Sequence, residues 1–380
     1  MYKRLQRLEL SKNETCFLLG PRQTGKSTLL KNLFPESKYY DLLLSQEYER
    51  LSRKPALLRE ELLAVAPRAP VVIDEIQLVP ALLNEIQWLM VNKGVRFILC
   101  GSSARKLKRA GANLLGGRAV HYELFPLVSG EIRDFDLYKA LNNGLLPRHY
   151  QAAAAGKLIH AYIGDYLKEE IAAEAVSRNV PLFARFLEAA AFSNGEIVNY
   201  NNIASDCGVS GPTVKSYFQI LSDTLLGSFV QSFRKKPKRR VVLAPKFYYF
   251  DVSLPNFLLK RTEVVAGNEV FGKAFEQFIF QEIKAHSHYS GLSYETAYWR
   301  TASQLEVDFI LGDHHTAVEV KGSAQTAPHH LKGLKAFREE YKVKNSIVVS
   351  LDLAPRLVDG ITILPWKVFL ERLWAGEIIK

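Results

Sequence analysis

Apolar and polar positions along the first 130 residues alternate between two kinds of segment. Thr15-Cys16-Phe17-Leu18-Leu19, Val71-Val72-Ile73 and Phe97-Ile98-Leu99-Cys100 are short, nearly unbroken apolar runs, the pattern of strands buried on both faces. Lys38-Tyr39-Tyr40-Asp41 predicts a further strand, and Ala119-Val120-His121-Tyr122-Glu123-Leu124 a fifth. The segments between them place apolar residues at helical spacing over 27–34, 45–66 and 81–93. Strands alternating with helices predict an α/β fold built on a parallel sheet.

Beyond residue 130 the pattern changes. Residues 131–193 are helical in period, with breaks at Asn142-Asn143-Gly144 and Pro147. A short helix over 198–207, a turn at Gly208-Val209-Ser210 and a second helix over 213–221 predict a helix-turn-helix. Ser210 is placed to cap the second helix, with Pro212 in its first turn. Gly227–Phe233 and Val241–Leu243 predict a hairpin, completing a winged helix. From residue 267 a helix carries the apolar stripe Phe271, Phe275, Phe278 and Ile279. Strands are expected at 298–301, 306–311, 317–321 and 347–349, with a helix through Leu331, Leu334 and Phe337. The expected division is 1–130 for the parallel-sheet core, 131–195 for a helical segment, 196–262 for the winged helix and 263–380 for a C-terminal α/β domain.

The chemistry begins where the first strand meets the first helix. Gly20-Pro21-Arg22-Gln23-Thr24-Gly25-Lys26-Ser27, with Thr28 behind it, fits the phosphate-binding loop of nucleoside triphosphatases and sits on the strand-to-helix turn that the motif requires. Its glycines permit close approach, and its N–H groups and the helix N-terminus can point at phosphate oxygens. Lys26 is expected to reach the β- and γ-phosphates of ATP, and Ser27 to offer a hydroxyl to Mg²⁺. Val71-Val72-Ile73-Asp74-Glu75 supplies the second half: Asp74 for Mg²⁺, and Glu75 to polarise the attacking water. The extra strand between the two motifs implies that the Asp74 strand is not the neighbour of the phosphate-loop strand.

Composition narrows the partners. A formal charge of +11 and a pI of about 9.3 favour a polyanion, with DNA first. Cys16, Cys100 and Cys207 stand apart without metal spacing, and two lie in apolar runs, which points to a reducing, cytoplasmic setting. Met1–Arg7 has charge with no apolar core behind it, so no secretory leader is expected there, and no apolar run reaches membrane-spanning length.

Taken with Phe125-Pro126-Leu127 and Glu131, the first third resembles the AAA-type P-loop ATPases of bacteria and archaea, whose chains typically end in a poorly characterised C-terminal domain. The resemblance implies ATP hydrolysis, a homo-oligomer, with a hexamer among the options, and a helical lid over the nucleotide at 131–195. It implies that Ser102 at the end of the fourth strand, with Ser103 as alternate, contacts the γ-phosphate or the water. It also implies an arginine finger on the neighbouring copy's nucleotide, with Arg118 first and Arg109 second.

In the helix-turn-helix, Thr213, Lys215, Ser216 and Gln219 are expected to face outward toward a DNA groove. Lys235, Lys236, Lys238, Arg239 and Arg240, beside Arg234 at the hairpin tip, would contact phosphates. The last third resembles the PD-(D/E)xK nuclease core. Period two places Glu319 and Lys321 on one strand face, with Asp308 across a hairpin. The resemblance implies a Mg²⁺ or Mn²⁺ site at Asp308 and Glu319, joined by Glu276, with Lys321 activating water. The histidines at 286, 288, 314, 315, 329 and 330 lack cysteine partners and are expected to be solvated rather than zinc ligands. The whole is expected to remodel DNA, by analogy branched DNA in recombination, repair or defence. A nucleotide-dependent switch that binds protein partners and an ATP-licensed nuclease are the alternatives.

Overall fold

The computed structural model describes residues 2–10, 14–102, 105, 115–164, 180–235, 238–261 and 263–380. Its contacts divide the chain into two compact units, Gln6–Pro126 with Asp223–Leu226, and Met1–Leu5 with Leu127–Ser222 and Gly227–Lys380.

The N-terminal unit is a five-stranded sheet in the order β2-β3-β4-β1-β5. Its strands are β1 (Thr15–Leu19), β2 (Tyr39–Asp41), β3 (Val71–Asp74), β4 (Phe97–Gly101) and β5 (Ala119–Glu123). Every pairing is parallel. β3 and β4 are buried along their whole length, as their apolar runs require. β1 pairs with β4 and not with β3, so the inserted strand of the expected order is found. Phe17, Ile73, Leu82, Ile86, Leu89, Phe97 and Leu99 form one core with Leu51, Leu58 and Leu62. The helical stretch expected at 45–66 is two helices, Ser45–Arg53 and Ala56–Ala64. Pro55 separates them, because its ring disfavours helical angles at Lys54, which adopts φ −139.

The C-terminal unit is organised around an eight-stranded sheet in the order β12-β13-β11-β10-β9-β8-β6-β7. Its strands are β6 (Gly227–Ser232), β7 (Lys246–Tyr249), β8 (Thr296–Arg300), β9 (Glu306–Leu311), β10 (Thr316–Lys321), β11 (Asn345–Ser350), β12 (Arg356–Val358) and β13 (Ile361–Pro365). Phe271, Phe275, Phe278 and Ile279 of the long helix Glu269–Tyr289 pack with Phe309, Leu311, Val318 and Val320. The helix Lys332–Glu340 puts Leu334 and Phe337 into a second cluster with Val307, Ile310, Ala317 and Val348.

Two expectations are corrected here. The hairpin partner of β6 is β7, not 241–243; Val241 instead bridges to Thr301, and the Val242 N–H donates to the Arg300 carbonyl. The wing strands are also not a separate module. Gln231 and Ser232 of β6 pair in parallel with Ala297 and Tyr298 of β8, so the hairpin extends the C-terminal sheet. The segment expected as a lid belongs by its contacts to this unit. Its described helices are Leu137–Asn143, Pro147–Gln151, 156–164 and Val180–Phe192.

Candidate active site

The phosphate loop is shaped by its glycines and by its own lysine. A Cβ on Gly20 would lie 2.4 Å from the Leu124 carbonyl oxygen, so a side chain there would force the loop off β5. Gln23 and Gly25 adopt φ 65 and 93, and Gly25 caps the helix Lys26–Leu33, whose first N–H groups therefore face the loop. Lys26 is buried, and its Nζ donates to the carbonyls of Gly20 at 2.8 Å and Pro21 at 2.9 Å. Thr24 Oγ1 also donates to Pro21, at 3.0 Å. A buried ammonium held by neutral carbonyls is poised to exchange them for charged phosphate oxygens. Around it, Pro21 is buried, Arg22 and Ser27 are half-buried, and Gln23 and Thr28 are exposed.

The second half of the site comes from the ends of β3 and β4. Asp74 is buried, and its Oδ1 accepts from the Glu75 N–H at 3.1 Å. The Tyr39 hydroxyl donates to Asp74 Oδ2 and is also hydrogen-bonded to Ser27. Burial first, and the Asp74 carboxylate second, push the Tyr39 hydroxyl well above its ordinary value, so it stays a donor. Tyr39 thus joins the two residues expected at Mg²⁺. A serine hydroxyl and a carboxylate are hard oxygen donors that fit this ion.

Glu75 stands at φ 56, a left-handed angle rare for a residue with a side chain. Its Oε2 accepts from Gln77 Nε2, and it lies 3.4 Å from Ser102 Oγ. Ser102 is fully buried just past the end of β4, the strand between those of Lys26 and Asp74. A family model described as an AAA domain matches residues 12–133.

This segment is an AAA domain.

The match implies a nucleotide-binding ATPase module over these residues. Two further models, both described as domains of unknown function (DUF8612 and DUF4143), match residues 134–264 and 271–369. No curated protein matches the chain. Among solved structures, the Aeropyrum pernix ORC1 protein in complex with DNA is 14% identical over 65% of this chain and 87% of that one, with a TM-score of 0.27. That superposition is too loose to carry an argument about function.

Arg118 of the AAA domain is exposed, directly before β5. Arg105 pairs with Asp223 at 3.3 Å. Ser103 and Arg109 lie outside the described residues.

In the C-terminal unit the helix-turn-helix is formed by Tyr200–Cys207 and Gly211–Asp223. Gly208 ends the first helix at φ 68, and Ser210 Oγ accepts from the Thr213 N–H at 3.3 Å. Lys215 and Gln219 are exposed and Thr213 and Ser216 half-buried, while Val214, Tyr217, Phe218 and Leu221 face inward. The basic segment is not a free tip. Lys235 pairs with Asp313, Arg239 with Glu339 and Glu340, and Lys238 Nζ donates to the Glu339 carbonyl at 3.3 Å. Arg234 and Arg240 are exposed, and Lys236 lies outside the described residues.

Glu276, Asp308, Glu319 and Lys321, the residues expected at a nuclease-like site, line a cavity of about 490 Å³ together with Lys246 and Glu306. Asp308 Oδ2 accepts from the Val320 N–H at 2.7 Å. Lys321 pairs with Glu319 at 2.6 Å, and Lys246 with Glu306 at 2.6 Å and Glu276 at 3.5 Å. Burial, and then Asp308, push the Glu319 carboxyl well above its usual range against the pull of Lys321. Burial also pushes Glu276 up to about 7, with Lys246 opposing and Asp308 reinforcing. Burial alone would depress Lys246, but Glu276, Tyr248, Asp308 and Glu306 outweigh it and keep the ammonium charged. Glu276 faces Lys246 and Tyr248, Glu319 faces Lys321, and among the described residues no three acidic, His or Cys groups are placed to hold a metal ion.

Four residues escaped the sequence reading. Tyr39 and Gln77 join the groups around Asp74 and Glu75, Lys246 counters charge in the C-terminal acidic cluster, and Tyr248 donates a hydrogen bond to Glu276. Gln77 carried the faint signal of a lone polar residue between Ile76 and Leu78, two positions past the Asp-Glu pair. The other three meet their partners only in the folded chain, Tyr39 through strand order and Lys246 and Tyr248 through packing of the long helix on the sheet.

Proposed function

We propose that the chain is a Mg²⁺-dependent ATPase whose hydrolysis acts on DNA held by the helix-turn-helix. The observation that carries the reading is the convergence of Lys26, Ser27, Asp74, Glu75 and Ser102 at one end of the parallel sheet. In this reading Lys26 leaves the Gly20 and Pro21 carbonyls for the β- and γ-phosphates, and Ser27 and Asp74 hold the ion. Bound Mg²⁺ would supply neutralisation of the charge that develops on the phosphates. Glu75 orients the attacking water, and Ser102 contacts the γ-phosphate. Arg118 is solvent-exposed, as a residue reaching a second copy's nucleotide would have to be, and so the reading includes a homo-oligomer. Lys215 and Gln219 supply the outward helix face for DNA, supported by Arg234 and Arg240.

The test is ATP turnover across duplex, single-stranded and four-way DNA, with Lys26→Ala and Glu75→Gln as controls. Stimulation by at least one DNA, lost in both controls, is expected. Turnover indifferent to every DNA would overturn the DNA part and favour a nucleotide switch that binds protein partners.

A further inference from the structure

Gln77 is buried in the short 3-10 turn Ile76–Leu78, two residues past Glu75. Its side chain folds back toward the site. Nε2 donates to Glu75 Oε2 and lies 3.2 Å from Ser102 Oγ, which is itself 3.4 Å from the same carboxylate oxygen. Three polar groups from the ends of two strands thus close a triangle. The chemistry fixes how the amide is turned. Reversing it would set the amide oxygen against the carboxylate, acceptor against acceptor.

That orientation leaves Gln77 Oε1 buried without a hydrogen-bond partner among the described residues. An orphaned buried acceptor is unfavourable. The neighbouring backbone is shaped to admit it. A Cβ on Gly101 would lie 2.4 Å from Gln77 Oε1, so a side chain at 101 would displace the amide. Glu75 meanwhile holds its left-handed angle, aiming its side chain at the same triangle.

We infer that Gln77 is a positioning residue for hydrolysis: its amide holds the Glu75 carboxylate and the Ser102 hydroxyl in one arrangement, leaving Glu75 Oε1 to orient the attacking water. This rests on the reading of Glu75 given above. Gln77 need not touch nucleotide. It acts by removing the rotational freedom of Glu75, and misplacing a group that orients water lowers the rate without weakening substrate binding.

The test is steady-state and single-turnover ATP hydrolysis by the full chain carrying Gln77→Met, which keeps length and apolar volume but removes the donor. The expected result is a fall in kcat on the order of 10- to 100-fold with KM for ATP unchanged. In a Glu75→Gln background the same substitution is expected to cost nothing further, because the group it positions is gone. Gly101→Ala, which pushes the amide away from the other side, should reproduce the fall and should not add to it. Native kcat in Gln77→Met overturns the inference, and so does a loss of equal size in the Glu75→Gln background, which would make Gln77 a packing residue. If Glu75→Gln hydrolyses at the native rate while Lys26→Ala is inactive, the reading of Glu75 falls and takes the Gln77 inference with it. If Glu75→Gln is inactive and Gln77→Met is native, only Gln77 falls.

Discussion

Tyr39 reaches from the edge strand β2 to both Asp74 and Ser27, so it orients the two residues assigned to the ion without binding it. Removing such a supporting hydroxyl weakens metal binding by about 10-fold or more. Tyr39→Phe is therefore expected to raise the Mg²⁺ concentration for half-maximal ATP hydrolysis by about that factor. An unchanged Mg²⁺ titration would reduce Tyr39 to a packing role. Glu282 offers a residue-level test of a different kind. It is buried, accepting from the Ser129 N–H at 2.6 Å and Trp374 Nε1 at 2.8 Å. Burial, the largest effect, pushes its carboxyl up to about 7. The folded chain then holds this proton more tightly than the unfolded chain does, so stability falls as pH rises from about 4.5 to 7 and levels off above. Glu282→Gln is expected to flatten that slope by up to roughly 3 kcal/mol, read as the wild-type-minus-variant difference in denaturation at the two ends of the window. The difference is needed because Glu276 titrates in the same range. The phosphate loop was legible because every residue it needs is contiguous in the chain. Tyr39 was not, because Asp74 and Ser27 become its neighbours only after the strands are ordered, and the same ordering brings Ser102 to Gln77.

At the level of elements, close approach decides what substitution does. Gly333 lies in the first turn of the helix Lys332–Glu340, and a Cβ there would stand 1.7 Å from the Glu306 carbonyl oxygen on β9. Helix propensity alone favours Gly333→Ala by about 1 kcal/mol. Overpacking against backbone costs about 1–3 kcal/mol, and at this separation the helix or the strand must move, so the cost wins. Gly333→Ala is expected to lower the denaturation midpoint, whereas Gly272→Ala, in the long helix and with nothing near its would-be Cβ, is expected to hold or raise it. An equal gain from both would show that the helix is not seated on β9. Strands and helices themselves were largely readable, since period and apolar runs are local. The partner of β6 was not: 241–243 and 246–249 are both apolar stretches beyond the same basic loop, and the choice fell to the non-local pairing of 241–242 with Arg300 and Thr301.

Across the whole molecule the net charge of +11 suggested a basic wing as the main grip on DNA, but charge that is already paired contributes little. Lys235 and Arg239 neutralise Asp313, Glu339 and Glu340, and Lys238 is bonded to the backbone of the same helix, a pattern invisible in a run of seven residues read alone. Lys215, Arg234 and Arg240 stand exposed instead. The expected division of labour follows. Each cation that meets a phosphate contributes about 0.9 to the slope of log affinity against log salt, so Lys215→Ala, Arg234→Ala and Arg240→Ala should each flatten that slope by about 1. Arg239→Ala should leave the slope nearly intact and lower thermal stability, because it strands Glu340, which is almost fully buried. Fluorescence anisotropy of a labelled duplex over a salt series, with melting curves on the same samples, separates the two behaviours. A flattened slope in Arg239→Ala with an unchanged melting curve would return the wing to the DNA interface. Unchanged slopes in all three exposed variants would remove this face from DNA binding altogether.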